Sequence, residues 1–122
     1  MTPSDPRAWA EQWAADWNRR DAAAVLAHFT GDAVFTSPRA AAVTGNGRVE
    51  GKPAIAAYWA SALASVQSIH FVIDYVLTDA ARLAILYTAA IDGKSIRVAE
   101  IFTFNQSGLI CEGEVLHGAM LS

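Results

Sequence analysis

The segment "RVAEIFTFNQSG", residues 97–108, indicates a strand followed by a turn. Its apolar residues recur with period two, and its last three residues have the composition of a turn. One residue departs from the pattern. Because strand side chains alternate between faces, Glu100 shares a face with Val98, Phe102 and Phe104. Burying an unpaired carboxylate costs several kcal/mol, so a carboxyl on an aromatic face indicates a paired or functional group.

The flanking segments repeat this period and predict four long strands in a meander. The segment "SIHFVIDYVLT" alternates with apolar residues on one predicted face: Ile69, Phe71, Ile73, Tyr75 and Leu77. The segments "RLAILYTAAI" and "LICEGEVLHGAM" supply two more strands. Asp92-Gly93 is a strong signal for a tight turn between strands.

The N-terminal half predicts three helices and one short strand. Asp5-Pro6 is typical of a helix start, and the following segment carries tryptophans at four-residue spacing: Trp9, Trp13 and Trp17. A short helix "AAAVLAHF" follows a capping aspartate, and a third helix runs from Lys52-Pro53 to about Ala64. Between them, "AVFTS" predicts a strand that ends at Pro38. Residues 39–51 predict a loop or a weak edge hairpin.

Composition limits the classes of function. The chain of 122 residues predicts a single domain over 1–122. Hydrophobic residues make up 53% and charged residues 17%, and the net charge is −3. These values argue against nucleic acid and anionic membranes as partners. The apolar excess favours an internal cavity or a buried oligomer interface.

Other features of the sequence point to a cytoplasmic protein that uses no metal or cofactor. The N-terminus has no signal-peptide pattern, and no apolar run is long enough to span a bilayer. Cys111 is the single cysteine, so no intrachain disulfide can form. The histidines lack metal-ligand spacing, and there is no Gly-rich phosphate loop.

Three segments carry a resemblance that covers nearly the whole chain: "WNRRDAAAVLAHFTGDAVFTSP", "GRVEGKPAIAAYWASAL" and "RVAEIFTFNQSGLICEGEV". Their content and order resemble the SnoaL-like branch of the nuclear transport factor 2-like superfamily. The resemblance implies an α+β fold, in which a cone-shaped, strongly curved antiparallel sheet wraps around three helices of the N-terminal half. It also implies a deep pocket in the cone and a homodimer formed through the outer face of the sheet.

Ketosteroid isomerases of this superfamily use three polar groups in the cone, and only one is kept here. The aspartate base before the first strand's proline corresponds to Ser37, and the oxyanion-hole tyrosine corresponds to Trp13. The protonated acid of the penultimate strand corresponds to Glu100. Serine cannot replace a carboxylate base at neutral pH, and an indole can donate one N–H but cannot act as an acid. The chain therefore keeps the acid of these isomerases, at Glu100, but has no carboxylate at the position of their base, Ser37.

Two other enzyme classes of the superfamily lead to different expectations. Limonene-type epoxide hydrolases need an arginine and an acid two residues apart on one strand face. Arg97 and Glu100 are three apart and so lie on opposite faces. SnoaL-type cyclases need one well-placed carboxyl and an apolar pocket, which Glu100 could supply.

The candidate site follows from these comparisons. Glu100 and His117, on the inner faces of adjacent strands, are the candidate acid/base residues. The candidate ligand-binding residues are Trp13, Trp17, Phe35, Ser37, Trp59, Tyr87 and Phe102. The sequence predicts a small, mostly apolar ligand in the cone and an acid/base isomerase or cyclase acting through Glu100. A non-catalytic ligand-binding or dimeric interaction module is the alternative, so enzymatic activity stays open.

Overall fold

The elements of the fold are defined by a computed structural model that describes residues 1–121. The helices are α1 Pro6–Asn18, α2 Ala22–Leu26, α3 Pro38–Thr44 and α4 Lys52–Ala64. The strands are β1 Phe29–Thr36, β2 Arg48–Glu50, β3 Ile69–Asp79, β4 Arg82–Ile91, β5 Lys94–Phe104 and β6 Ile110–Met120. The four predicted long strands and their order are confirmed.

The helix starts follow local capping chemistry. The Asp5 carboxylate accepts the backbone N–H of Ala8 at 3.1 Å, with Pro6 in the first turn of α1. Asp21 caps α2 in the same way, accepting from the N–H of Ala24 at 3.1 Å. These bonds satisfy backbone donors that the first turn leaves without a helical partner. The predicted second helix is shorter than expected, because the chain already enters β1 at Phe29.

The loop or weak edge hairpin predicted for residues 39–51 is wrong in its first half. Pro38–Thr44 forms helix α3, for which Ser37 is the N-cap, with its Oγ accepting the N–H of Arg39 at 3.2 Å. Gly45 ends the helix at φ 80°, a left-handed conformation that glycine adopts without a steric penalty. A Ser-Pro start followed by alanines favours a helix, and this local preference outweighs the glycines that indicated a loop.

The six strands form one curved, unclosed sheet in the order β2-β1-β6-β5-β4-β3. The predicted antiparallel sheet is confirmed for four of the five neighbouring strand pairs. The fifth pair, β1 with β6, is parallel. The chain between β1 and β6 is long, so no hairpin fixes their relative direction. The Asp92-Gly93 turn between β4 and β5 is confirmed, with φ of 50° and 83°.

A bulge in β3 breaks the alternation predicted from the sequence. Ile73 pairs with Tyr87, but Tyr75 pairs with Leu86, so Asp74 is the extra residue. The side chains after the bulge change faces. Tyr75 and Leu77, predicted on the same face as Ile73, are 47% and 57% exposed.

The core lies between the inner face of the sheet and helices α1 and α4. Trp13 and Trp17 of α1 and Trp59 of α4 are all buried there. Trp17 meets Trp59 edge to face with ring centroids 5.0 Å apart, an arrangement that aromatic rings prefer. No helix among residues 1–121 combines the length and the apolar composition needed to cross a bilayer.

Candidate functional site

A cavity of about 330 Å³ opens between the inner face of the sheet and the helices. Its walls are mainly aromatic and aliphatic. The aromatic lining residues are Trp17, Phe35, Tyr58, Trp59, Phe71 and Tyr87, and the polar and charged ones are Ser37, Arg39, Lys94, Glu100 and His117. The volume lies near the lower end of the range for small-molecule sites.

Cross-strand rows on the inner face define the depth of the cavity. From the closed end outward, the rows are Leu83–Phe102–Gly113, Ile85–Glu100–Val115, Tyr87–Val98–His117 and Ala89–Ile96–Met120. The first row is fully buried, whereas Met120 is 58% exposed. Glu100 therefore sits one row above the closed end, and His117 lies one row nearer the opening.

The Glu100 carboxyl is buried, and among the described residues it has one hydrogen-bond partner. It is 5% exposed, and its Oε1 accepts a hydrogen bond from the Tyr87 hydroxyl at 2.9 Å. Burial raises the pKa of Glu100 to about 7, although the Tyr87 hydrogen bond opposes the rise. Burial, followed by the charge of Glu100 and their shared hydrogen bond, raises the pKa of Tyr87 well above its ordinary value. Glu100 therefore exchanges protons near neutral pH, and Tyr87 remains a hydrogen-bond donor.

His117 stands at the opening of the cavity. It pairs across the strands with Val98, which makes it a diagonal neighbour of Glu100, roughly 7–8 Å away in a regular sheet. Partial burial and then the positive charge of Arg39 lower the pKa of His117. The two candidate acid/base residues thus share a face without a direct hydrogen bond between them.

The cavity brings together most of the predicted ligand-binding residues. Trp17, Phe35, Ser37, Trp59 and Tyr87 line it. Trp13 and Phe102 do not, because both are packed inside the core.

Trp13 and Phe102 lie behind the cavity wall. Trp13 is 2% exposed and packs against Phe71 and Tyr87, with ring centroids 5.6 and 5.1 Å away. Its indole Nε1 has no hydrogen-bond partner among the described residues. Phe102 is fully buried, one row deeper than Glu100, and its ring packs against Trp9. These two side chains support the wall rather than form it.

Two cationic residues of the site, Arg39 and Lys94, were missed by the sequence reading. Arg39 was hidden by the loop prediction, although it follows a Ser-Pro helix start. Lys94 could have been found, because it precedes Ile96, Val98 and Glu100 at period two and so shares their inner face.

The outer face of the sheet holds a separate polar group. Arg97 forms an ion pair with Asp74, and Asp74 also accepts a hydrogen bond from the Thr88 hydroxyl at 3.0 Å. Arg97 thus lies on the face opposite Glu100, as expected from their three-residue spacing. Within residues 1–121, no group of three or more histidine, cysteine, aspartate or glutamate side chains could hold a metal ion.

The sequence and the fold place the chain in a family. The model of the SnoaL-like domain family matches residues 10–113, and the chain belongs to that family. A search of curated proteins gave no match.

Solved structures share the fold over nearly the whole chain. A SnoaL-like protein of unknown function from Burkholderia thailandensis is 26% identical and has a TM-score of 0.85, covering 93% of this chain and 94% of its own. A protein with a ketosteroid isomerase-like fold from Catenulispora acidiphila, in complex with trimethylamine, is 17% identical and has a TM-score of 0.70. The match covers 95% of this chain and 86% of that protein. TerC, co-crystallised with polyporic acid, is 16% identical and has a TM-score of 0.76. The match covers 93% of this chain and 92% of TerC.

Proposed function

We propose that this SnoaL-like protein binds a small, mostly apolar carbonyl compound in its cavity and that Glu100 acts on it as an acid/base. The observation that carries the proposal is the buried Glu100 carboxyl, which lines a cavity with mainly apolar walls and has Tyr87 as its hydrogen-bond partner. Apolar walls suit a flat or aliphatic ligand body, and convergent polar groups orient it. TerC, a relative in fold, was co-crystallised with a small molecule.

The pKa of Glu100 supports this role. At about 7, both the carboxylate and the carboxylic acid are populated at neutral pH. A general acid/base works best when its pKa is close to the operating pH.

The chemistry is proton abstraction next to a carbonyl, the first step of both an isomerase and an aldol cyclase. The Glu100 carboxylate removes a proton from the carbon beside the ligand's carbonyl group. The electrons of that C–H bond form a C=C bond, and the π electrons of the carbonyl group move to its oxygen. The Tyr87 hydroxyl donates to the Glu100 carboxylate in the free protein, and once Glu100 has taken up the proton this donor can turn to the enolate oxygen. Glu100 then returns the proton to carbon, and His117 exchanges protons between the cavity and solvent.

Deuterium exchange into an acetylnaphthalene tests this step without knowledge of the natural substrate. In deuterated buffer, the protein should exchange the acetyl protons above the buffer rate, and the rate should rise with pH through about 7 as Glu100 ionises. Glu100→Gln should lower the rate by about 10²–10⁴-fold, the usual contribution of a general base. Glu112→Gln, which changes an exposed acid on β6, is the matched control. Equal rates for the wild type and Glu100→Gln would remove Glu100 from the chemistry.

A non-catalytic binding module is the second candidate, and the position of Ser37 favours it. Ser37 stands where ketosteroid isomerases carry their base, but its Oγ is the N-cap of α3. The same exchange experiment separates the two candidates. Binding of the acetylnaphthalene with no exchange above buffer, in wild type and Glu100→Gln alike, would establish the binding module.

We also propose that two copies pair through the outer face of the sheet. Val72, Tyr75, Leu77 and Leu116 are about half exposed, at 50%, 47%, 57% and 48%. A second copy would cover these apolar side chains. Sedimentation should find a dimer of the wild type and a monomer of Leu77→Lys, whereas Val43→Lys on α3 should not change the state. A monomeric wild type at micromolar concentration would contradict this proposal.

A further inference from the structure

The opening of the cavity is cationic, although its walls are apolar. Arg39, Lys94 and His117 line the opening, and among the described lining residues Glu100 is the only one with a carboxyl, at the far end. Lys94 and Glu100 are six residues apart on one strand face, which separates their Cα atoms by up to about 20 Å. The charged groups of the site are thus divided between its two ends.

The cations at the opening are not neutralised by a neighbouring acid of the lining. Arg39 donates to the Ser65 hydroxyl at 2.7 Å, a neutral partner. The side-chain ammonium group of Lys94 forms no ion pair with an acid among residues 1–121. The carboxylate nearest in sequence, Asp92, does not line the cavity and accepts backbone N–H bonds from Gln67 and Ser68 at 2.8 and 2.9 Å. These bonds, and then the charges of Arg20 and Arg39, lower the pKa of Asp92, so it offsets part of the positive charge of Arg39.

The lowered pKa of His117 is consistent with an excess of positive charge at the opening. The pKa of His117 is lowered by partial burial and by the charge of Arg39, so two groups that can be positive stand close together. Such an arrangement costs free energy unless an anion binds there. An arginine fork and an ammonium group are the side chains that hold a carboxylate by charge-assisted hydrogen bonds.

We propose that the ligand of this cavity is an apolar acid, with a carboxylate held at the opening by Arg39 and Lys94 and an apolar body extending inward toward Glu100. This inference rests on the proposed function, because it specifies the substrate class of the same site. It adds a requirement that an apolar cavity alone does not impose: the ligand has a charged outer end and a carbonyl at the inner end.

An acetylnaphthoate, with its acetyl and carboxylate groups at opposite ends of the ring system, is a suitable probe. Its neutral amide and the parent acetylnaphthalene are the matched compounds. Calorimetry at neutral pH should show the acetylnaphthoate binding about tenfold more tightly than the amide, as expected for charge-assisted bonds. This advantage should shrink between about 0.01 M and about 1 M salt, as the Debye length falls from ~30 Å to ~3 Å.

Variants at the opening identify the groups that carry the effect. Lys94→Gln should weaken acetylnaphthoate binding about two- to fivefold and Arg39→Gln about tenfold, because Lys94 is exposed and Arg39 is half-buried. In both variants the loss of affinity should be larger for the acetylnaphthoate than for its amide. Lys52→Gln and Arg82→Gln are the matched controls, because neither residue lines the cavity.

The His117 pKa supplies an independent readout by proton NMR. Acetylnaphthoate should raise this pKa because its carboxylate favours the imidazolium, whereas the amide should not. Equal affinities for acid and amide, with no change at His117, would overturn the inference and leave the proposed apolar binding intact. Failure of all three compounds to bind would overturn both proposals.

Discussion

The buried acid should make the stability of this protein depend on pH in an unusual direction. Glu100 has a pKa of about 7 in the folded chain, against the ordinary value of 4.5 that applies to the unfolded chain. Each pKa unit corresponds to about 1.4 kcal/mol, so the difference amounts to about 3 kcal/mol. Because the folded state holds the proton more tightly, this stability is fully present below about pH 4.5. It is lost as the pH rises through about 7.

Urea unfolding of the wild type and Glu100→Gln across this range measures the effect. Near pH 4.5 the two proteins should have similar free energies of unfolding, because a protonated glutamate and a glutamine are both neutral. Near pH 8 the variant should be more stable by about 3 kcal/mol, since the wild type then buries a carboxylate. With an m-value of about 1–3 kcal/mol/M, the urea midpoints should differ by about 1–3 M.

The difference between the two curves isolates Glu100 from the other titrating groups. His117 and Asp92, whose pKa values are lowered in the folded chain, contribute equally to both proteins. Glu112→Gln, at an exposed position, should keep the pH dependence of the wild type. If wild type and Glu100→Gln give parallel curves from about pH 4.5 to about pH 8, the burial argument is refuted.

Three further predictions follow from individual contacts. Tyr87→Phe removes a hydrogen bond that lowers the Glu100 pKa. Carbon-13 NMR of the carboxyl should therefore find a Glu100 pKa above the wild-type value. An equal or lower pKa would contradict this role of Tyr87. Ser37→Ala removes the N-cap of α3 and should cost about 1 kcal/mol in urea unfolding, with Ser37→Asn, which can still cap, as the tolerated control. Gly113→Ala would place its Cβ 3.2 Å from the buried ring of Phe35 and should cost about 1–3 kcal/mol; an unchanged urea midpoint would show that the ring can move.

Local rules were sufficient for a large part of this fold. Asp5 and Asp21 cap their helices through bonds to residues three positions away, so the signal is contained in a few adjacent letters. The period-two pattern of β5 placed Glu100 and Arg97 on opposite faces of the strand. The turn at Asp92-Gly93 was readable because few residues adopt positive φ.

Features that depend on distant partners were not readable. The bulge at Asp74 moves Tyr75 to the outer face because of how β3 pairs with β4, and nothing in the β3 segment alone marks it. Trp13 and Trp17 lie on the same helical stripe, yet only Trp17 reaches the cavity. What covers Trp13 is Phe71 and Tyr87, from strands far along the chain.

The sequence by itself determined that a carboxyl shares one strand face with apolar and aromatic side chains, because side-chain alternation is a property of a single strand. Only the tertiary structure decided the state of that carboxyl. Its pKa depends on burial beneath helices and on a hydroxyl from the neighbouring strand, Tyr87, thirteen residues away. The cationic opening has the same origin, since Arg39 from α3 and Lys94 from β5 meet there only in the folded chain.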